Sequence, residues 1–367
     1  MVLIMGSVDI RQKGCFTRFM VNKQTIGYFA NAPRNILLRG TGKLQPRQVM
    51  FAVTDRCNSK CDSCQIWSSH PKLNLLTPEE IYRIFSQPFF SKVQFIINSG
   101  GEPSTRKDLK ELILAEHESL PKANLQVSTN GLMPDVIIEL VKFCKDKGFC
   151  IEVGTSLNGV GEAHDKSRGR PGNFHNVDYL IKSLRQLGVP VAVGFTLTED
   201  TIDNLPELRR YLGEAFQIEP LVQWYNEAPF YNNVGNKQGN SQRILEVLNS
   251  LTPNPTYELW KQYERIGEKR FPCYTLNTFF ALKCNGAVVP CLRYWDLEVG
   301  NLRDTPAISV WRSQEANRVR QNIWRCDGCL NSWANEWSSC ATMYPFLQYF
   351  LEHPRLLTRR LFGNLWQ

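Results

Sequence analysis

Between Gln48 and Trp224 the sequence switches repeatedly between short apolar runs and stretches of helical periodicity, and this alternation restricts the fold more than any other feature. Residues 49–53, 93–98, 125–128, 151–156, 189–198 and 218–224 read as strands. Thr77-Pro78-Glu79-Glu80 is a capping box with proline at the first helical position, opening a helix that reaches about Gln87. Further helices are expected over residues 107–119, 134–147, 176–187 and 204–212. Short loops between such units require parallel strands with right-handed crossovers. The expected fold class is therefore α/β, as an open sheet or a partial (β/α)6 barrel of the TIM type. In such folds ligands gather at the C-terminal ends of the strands.

Chemistry-bearing residues fall at those ends. The first strand runs into Cys57-Asn58-Ser59-Lys60-Cys61-Asp62-Ser63-Cys64, three thiols in a single loop. Thiolates are the usual ligands of iron–sulfur clusters, and three without a regularly spaced fourth suit a cubane with one iron left open. Half of a zinc site is the alternative, although zinc prefers paired C-x2-4-C units. Ser99-Gly100-Gly101-Glu102-Pro103 follows the second strand: its glycines let the backbone approach a ligand, and Glu102 is an acceptor for an ammonium group. Ser128-Thr129-Asn130-Gly131 follows the third.

C-x3-C-x2-C after an apolar run, the Gly-Gly-Glu-Pro turn, Thr155-Ser156-Leu157-Asn158-Gly159 and His164-Asp165-Lys166-Ser167-Arg168-Gly169 together resemble the ordered motifs of radical S-adenosylmethionine (SAM) enzymes. The resemblance implies that Cys57, Cys61 and Cys64 hold a [4Fe–4S] cluster whose open iron takes the amino and carboxylate groups of SAM. One electron then cleaves the sulfonium, and a deoxyadenosyl radical takes a hydrogen atom from the substrate. It implies that Glu102, with Gly100 and Gly101, holds the SAM amino group, and that Ser156 and Arg168, the latter in the loop after the strand, receive its carboxylate. Ser128 and Asn130 join them as cofactor-binding candidates. Asn158 stands where the family usually has Asp, and Ser63 where it often has an aromatic beside the adenine. His164 and Asp165 read as a loop-bracing pair, not an acid/base dyad, and Thr196 and Thr198 as ordinary strand threonines, not nucleoside contacts.

A second module contains Cys273, Cys284, Cys291, Cys326, Cys329 and Cys340. Asn285-Gly286 signals a hairpin that is expected to set Cys284 and Cys291 across from each other. With Gly300-Asn301-Leu302 and Val310-Trp311, this order resembles the auxiliary-cluster extensions called SPASM and twitch. The implied ligands of one auxiliary [4Fe–4S] cluster are Cys273, Cys291, Cys326 and Cys329, with Cys284 and Cys340 in reserve for a second. Such a cluster would take an electron from the substrate radical or position the substrate. A zinc ribbon on the same four thiols competes. Leu292 occupies the place of an Asp carried by sulfatase-maturing relatives, which argues against that activity. Cys144 and Cys150 read as core residues, and Cys15 stands alone.

The expected organisation is an N-terminal helical extension (1–46) broken at Pro33, the radical SAM core (47–235), a helical linker (236–270), the cluster module (271–342) and an amphipathic basic tail (343–367). Residues 225–239 read as a linker or an active-site lid, and the tail as packing down or touching a membrane surface or partner. Clustered cysteines with no signal-peptide pattern point to a reducing cytoplasm and exclude a disulfide scaffold. A net charge of +8 suits anionic partners, but no Lys/Arg run marks a nucleic-acid arm, so no nucleic acid is expected. The resemblance implies a flavodoxin- or ferredoxin-type electron donor. It leaves two enzyme readings: oxidation or epimerisation of a small molecule (a sugar, an aminocyclitol or a lipid-linked intermediate), or peptide (RiPP) maturation by cross-link or side-chain modification. The short segment before the first strand favours the small molecule. A non-catalytic zinc-binding scaffold is the reading from another class. Anaerobic reconstitution distinguishes it: the cluster reading predicts a brown protein containing iron and sulfide, the scaffold a colourless one containing zinc.

Overall fold

The computed structural model describes residues 23–69, 74–225, 227–235, 241–251, 255–267 and 272–323, together with Cys326, Ala334, Ser338 and Ala341. The six expected strands form: β1 (Gln48–Thr54), β2 (Phe95–Gly100), β3 (Asn124–Ser128), β4 (Glu152–Ser156), β5 (Val191–Leu197) and β6 (Leu221–Trp224). They lie side by side in chain order, all parallel. Helices α2 (Pro78–Phe85), α3 (Leu109–Ser119), α4 (Pro134–Asp146), α6 (Asn173–Gln186) and α7 (Leu205–Phe216) alternate with them as a partial (β/α)6 barrel. The capping box closes α2 as expected, with Thr77 N donating to Glu80 Oε2 (2.9 Å) and Glu80 N to Thr77 Oγ1 (3.2 Å).

Register decides which side chains face the helices and which face inward, because alternate strand residues point to opposite faces. Phe51, Ile96, Val127, Val153, Phe195 and Trp224 are buried in the core, as are Leu112, Ile138, Leu180 and Leu208 of the helices. Gln126 pairs with Glu152, Ser128 with Gly154, Ser156 with Gly194 and Thr196 with Gln223. These residues share the opposite face and line the barrel lumen.

A neighbour of β1 comes from the cysteine-rich module. There β7 (Phe279–Leu282) pairs parallel with β1, and β8 (Ala287–Val289) and β9 (Gly300–Asn301) extend the sheet antiparallel to nine strands. All seven residues of β1 are buried, so the strand needs cover on both edges. The module is continuous with the barrel sheet and not an appendage.

Several local expectations change. Helix α1 (Lys23–Leu38) runs through Pro33. A proline removes one helical hydrogen bond, and α1 and its C-terminal end are held from outside by Asn35 Nδ2 donating to Ala341 O (3.4 Å), Arg39 Nε to Cys273 O (3.1 Å) and Gly40 N to Asn277 Oδ1 (2.8 Å). Arg168 ends an unforeseen helix, α5 (Glu162–Arg168), instead of lying in a loop. Cys144 is buried as expected, but Cys150 is exposed in the turn before β4. In the linker region, α8 (Ser241–Ser250) and α9 (Pro255–Ile266) cover the β6 side, with Trp260 edge-on to Trp224 at 5.8 Å. Among the described residues no helix is long and apolar enough to cross a membrane. Cys15, Cys329, Cys340 and the tail lie outside the described residues.

Arg106, buried to 4% exposure, ties these parts together. It donates to Val53 O at 2.8 Å, bonds Leu76 O, and pairs with Asp108 at 2.7 Å. Arg106→Leu strands two buried carbonyls, and a loss of about 2–4 kcal/mol in urea unfolding of the full chain is expected.

Candidate active site

The cysteine loop leaves β1 and is gripped from two sides. From the turn after β2, Gly101 N donates to Thr54 O and Glu102 N to Arg56 O, both at 2.7 Å. A Cβ on Gly100 would stand 2.3 Å from Thr54 O, and one on Gly101 2.0 Å from Arg56 O, so no larger residue fits either position. From the other side comes the end of α5: Lys60 N donates to Arg168 O (3.0 Å), Asp62 N to Ser167 O (3.3 Å), Ser59 Oγ to Arg168 O (3.0 Å) and Arg170 Nε to Asn58 O (2.6 Å). The close approach that the two glycines allow is therefore to the root of the cysteine loop itself.

Glu102 is 1% exposed and braces two strand-end loops. Its Oε1 accepts from Ser104 N (3.1 Å), Ser104 Oγ (2.6 Å) and Thr129 Oγ1 (2.7 Å), and its Oε2 from Asn130 N (2.7 Å). Burial raises its pKa, against which these donors work. An ammonium would thus share a carboxylate that already has four protein donors. Asn130 Nδ2 reaches Asn58 Oδ1 (2.8 Å) and Cys57 Sγ (3.9 Å), tying the third strand end to the cysteine loop.

Around α5, His164 is fully buried and neutral. Asn158 N donates to its Nδ1 (3.1 Å), which leaves the proton on Nε2, facing Asn173 Oδ1 at 3.0 Å. Burial first, and then the neighbouring Arg168 charge, pull its pKa down to about 3. Asp165 accepts from Gly172 N (2.6 Å) and Phe174 N (2.7 Å), bracing the start of α6. Both residues hold the loop. Asn158 Oδ1 accepts from Thr196 N (3.1 Å), a task that needs an acceptor but no charge. Thr198 and Thr201 bond each other at 3.0 Å in a local turn.

No disulfide engages Cys57, Cys61 or Cys64. Burial pushes the Cys57 thiol up to about 11 and that of Cys64 to about 12, so their thiolates need a cationic partner. Cys61 Sγ lies 3.2 Å from Ser59 Oγ and 3.5 Å from Arg168 Nη1. The same guanidinium bonds Ser156 Oγ, while its Nε is buried without a partner. An unsatisfied cationic donor beside three thiols fits a bound carboxylate. Cys57, Cys61 and Cys64 supply sulfur alone from one loop. The all-sulfur donor set fits a multinuclear cluster.

Sequence reasoning passed over the lumen face beneath this site. Gln126, Glu152 and Gln223 point inward, with Gly154 and Gly194 on the same face. A Cβ on Gly154 would come within 2.7 Å of Gln126 Nε2. Gln126 Oε1 is buried without a partner, and burial raises the Glu152 carboxyl to about 7. The available signal is polar residues at every second position of otherwise buried strands. The segment expected as a linker or a lid touches the cysteine loop: Tyr231 O accepts from Gln65 N (2.7 Å), and Asn233 Nδ2 donates to Ser63 O (2.9 Å).

In the auxiliary module, Thr275 Oγ1 bonds Pro290 O at the base of the hairpin, two residues after Cys273 and one before Cys291 in the chain. Tyr294, three residues after Cys291, hydrogen-bonds Cys326. Register corrects the expectation for Cys284. Ala281 faces Val289 and Leu282 faces Val288, so Cys284 sits at the turn and not across from Cys291. Its thiol donates to Asp55 Oδ2 at 3.2 Å, at the root of the first cysteine loop; burial, with Asp55 adding to it, raises its pKa to about 12.

Residues 51–212 match the radical SAM superfamily, and residues 273–330 match SPASM, an iron–sulfur cluster-binding domain. The chain belongs to the radical SAM superfamily of enzymes and carries a C-terminal SPASM domain, so iron–sulfur clusters and SAM are its cofactors. It is 29% identical over 230 residues to Fe-coproporphyrin III synthase of Methanosarcina barkeri, covering 62% of this chain and 54% of that protein. It is 33% identical over 191 residues to the antilisterial bacteriocin subtilosin biosynthesis protein AlbA of Bacillus subtilis, covering 51% and 42%. The chain thus spans about half the length of these relatives. Its fold is that of Streptococcus suis SuiB, solved with its precursor peptide SuiA, at a TM-score of 0.62 and 18% identity over 79% of this chain and 71% of that one.

The buried His164 makes stability depend on acid. Its folded pKa lies below the ordinary 6.5, so the unfolded chain binds the proton more readily. The contribution is complete above about pH 6.5 and falls by about 1.4 kcal/mol per pH unit as pH drops towards about 3. Thermal unfolding at pH 7 and pH 5 is expected to show this loss in the native chain and a smaller one in His164→Gln.

Proposed function

We propose that this protein generates a radical from SAM at the C-terminal ends of β1–β4 and uses it to oxidise or epimerise a small molecule held in the barrel lumen. The observation carrying this reading is Arg168, which touches Cys61 Sγ, bonds Ser156 and keeps a buried Nε–H unsatisfied. In this reading Cys57, Cys61 and Cys64 hold the cluster, and Arg168 and Ser156 receive the SAM carboxylate. The bound cluster with SAM supplies one-electron cleavage of the sulfonium and a 5′-deoxyadenosyl radical.

The chain's own residues then position and exclude. Glu102 and Asn130 lock the three strand-end loops into one rigid floor, which keeps the reacting groups in register. The segment of Tyr231–Asn233 lies over the cysteine loop and limits access of water. Gln126, whose Oε1 is buried without a partner, offers an acceptor to a polar substrate in the lumen. Cys273, Cys291, Cys326 and Cys329 are assigned to an auxiliary [4Fe–4S] cluster, and a flavodoxin- or ferredoxin-type protein to electron supply.

The likeness to Fe-coproporphyrin III synthase supports a small-molecule substrate. The likeness to AlbA supports a second reading, peptide maturation. Reconstituted protein with dithionite and SAM is expected to release 5′-deoxyadenosine. The Cys57/Cys61/Cys64 triple alanine variant should release none, and Arg168→Gln should raise the apparent KM for SAM about tenfold or more, the cost of one charge-assisted pair. Cleavage surviving in the triple variant overturns the proposal.

A further inference from the structure

Where β2 meets α3, two polar side chains are sealed together away from solvent. Asn98 and Glu116 are both 0% exposed. Asn98 stands two residues before Gly100, paired in the sheet with Phe51 of β1 and Val127 of β3, and its side chain reaches the helix layer. There its Nδ2 donates to Glu116 Oε2 at 2.8 Å. The second oxygen of each side chain, Asn98 Oδ1 and Glu116 Oε1, has no partner among the described residues.

An ionised Glu116 makes this arrangement costly twice over. A carboxylate offers only acceptors, so both idle oxygens stay unsatisfied. A buried charge with a single hydrogen bond adds its own penalty. Arg106, the cation that acts on Glu116, commits its guanidinium to Val53 O, Leu76 O and Asp108. The charged residues of α4 are exposed, as are Glu79 and Arg83 of α2, while Glu80 pairs with Arg303; β2 and β3 carry no charged residue. The other titratable side chains of α3 are exposed or half-buried. One proton on Glu116 Oε1 cures both defects, because it turns one idle acceptor into a donor for the other. Burial accordingly pushes the Glu116 carboxyl up to about 8, with the Asn98 bond and the Arg106 charge working the other way.

We propose that Glu116 is held as a carboxylic acid, donating its proton to Asn98 Oδ1 while accepting from Asn98 Nδ2, and that this neutral ring is a pH-sensitive fastener between β2 and α3, just below the Gly100–Glu102 turn. The folded chain keeps the proton up to about pH 8, whereas the unfolded chain releases it near the ordinary 4.5. The stability that the ring contributes is therefore complete below about pH 4.5 and is lost as pH rises through about 8.

Infrared spectroscopy of the reconstituted full chain at about pH 6 is expected to show the carbonyl stretch of a protonated carboxyl, above the amide I band, that is missing in Glu116→Gln. Glutamine keeps the ring, its Nε2 donating to Asn98 Oδ1, but does not titrate. Raising the pH from about 6 to about 7 should therefore increase the urea unfolding constant of the native chain about tenfold relative to that of the variant. His164 is common to both proteins and cancels. In Asn98→Ala the band should move to higher frequency as the acid loses its partner, a readout that stands even where Glu116→Gln does not fold. A band unmoved in Asn98→Ala, no band lost in Glu116→Gln, or unfolding constants that keep a fixed ratio over this pH range overturns the proposal.

Discussion

The site depends on the backbone grip that holds the cysteine loop between the Gly100–Glu102 turn and the end of α5. Six main-chain and side-chain hydrogen bonds hold the root and middle of a loop with no regular structure of its own. Loop backbone without such partners would be mobile, and three thiols on a mobile loop cannot preorganise a cluster. Gly100 and Gly101 are required because the turn comes closer to the loop than any Cβ permits. Glu102 then passes the constraint to β3 through Thr129 and Asn130. Rigidity at the cofactor floor is thus a network property, and each motif residue serves its neighbours as well as any ligand.

The auxiliary module enters the same network. Its β7 covers one edge of β1, so the strand that carries the cysteine loop is bonded on both sides. Cys284 reaches Asp55, and Phe230 of the covering segment packs edge-on against Trp295 at 4.6 Å. The two cysteine-rich regions are therefore structurally continuous.

Much of the site was legible because its signals are local. Capping at Thr77, the thiol spacing and the loops after β2, β3 and β4 all lie within a few residues of chain, and parallel-strand topology carries them to one pole. Pro33 was misjudged for the opposite reason: α1 and its C-terminal end are held by residues distant in the chain, Cys273 and Asn277 among them, and the exposure of Cys150 likewise depends on what packs around it in three dimensions. Cys284 was misplaced because a residue beside the bend can only face its near neighbours across the turn, and Cys291 lies beyond the end of the second strand.

The sequence by itself determined the six βα units, their order and the chemistry at their ends, since periodicity and short motifs record what each segment buries and caps. Only the tertiary structure decided that β7 joins β1 and that Gln126, Glu152 and Gln223 line a lumen. Strand pairing is made by backbone groups that every residue carries. The partner of an edge therefore leaves no mark in the side chains, and the surfaces that such pairings create leave none either.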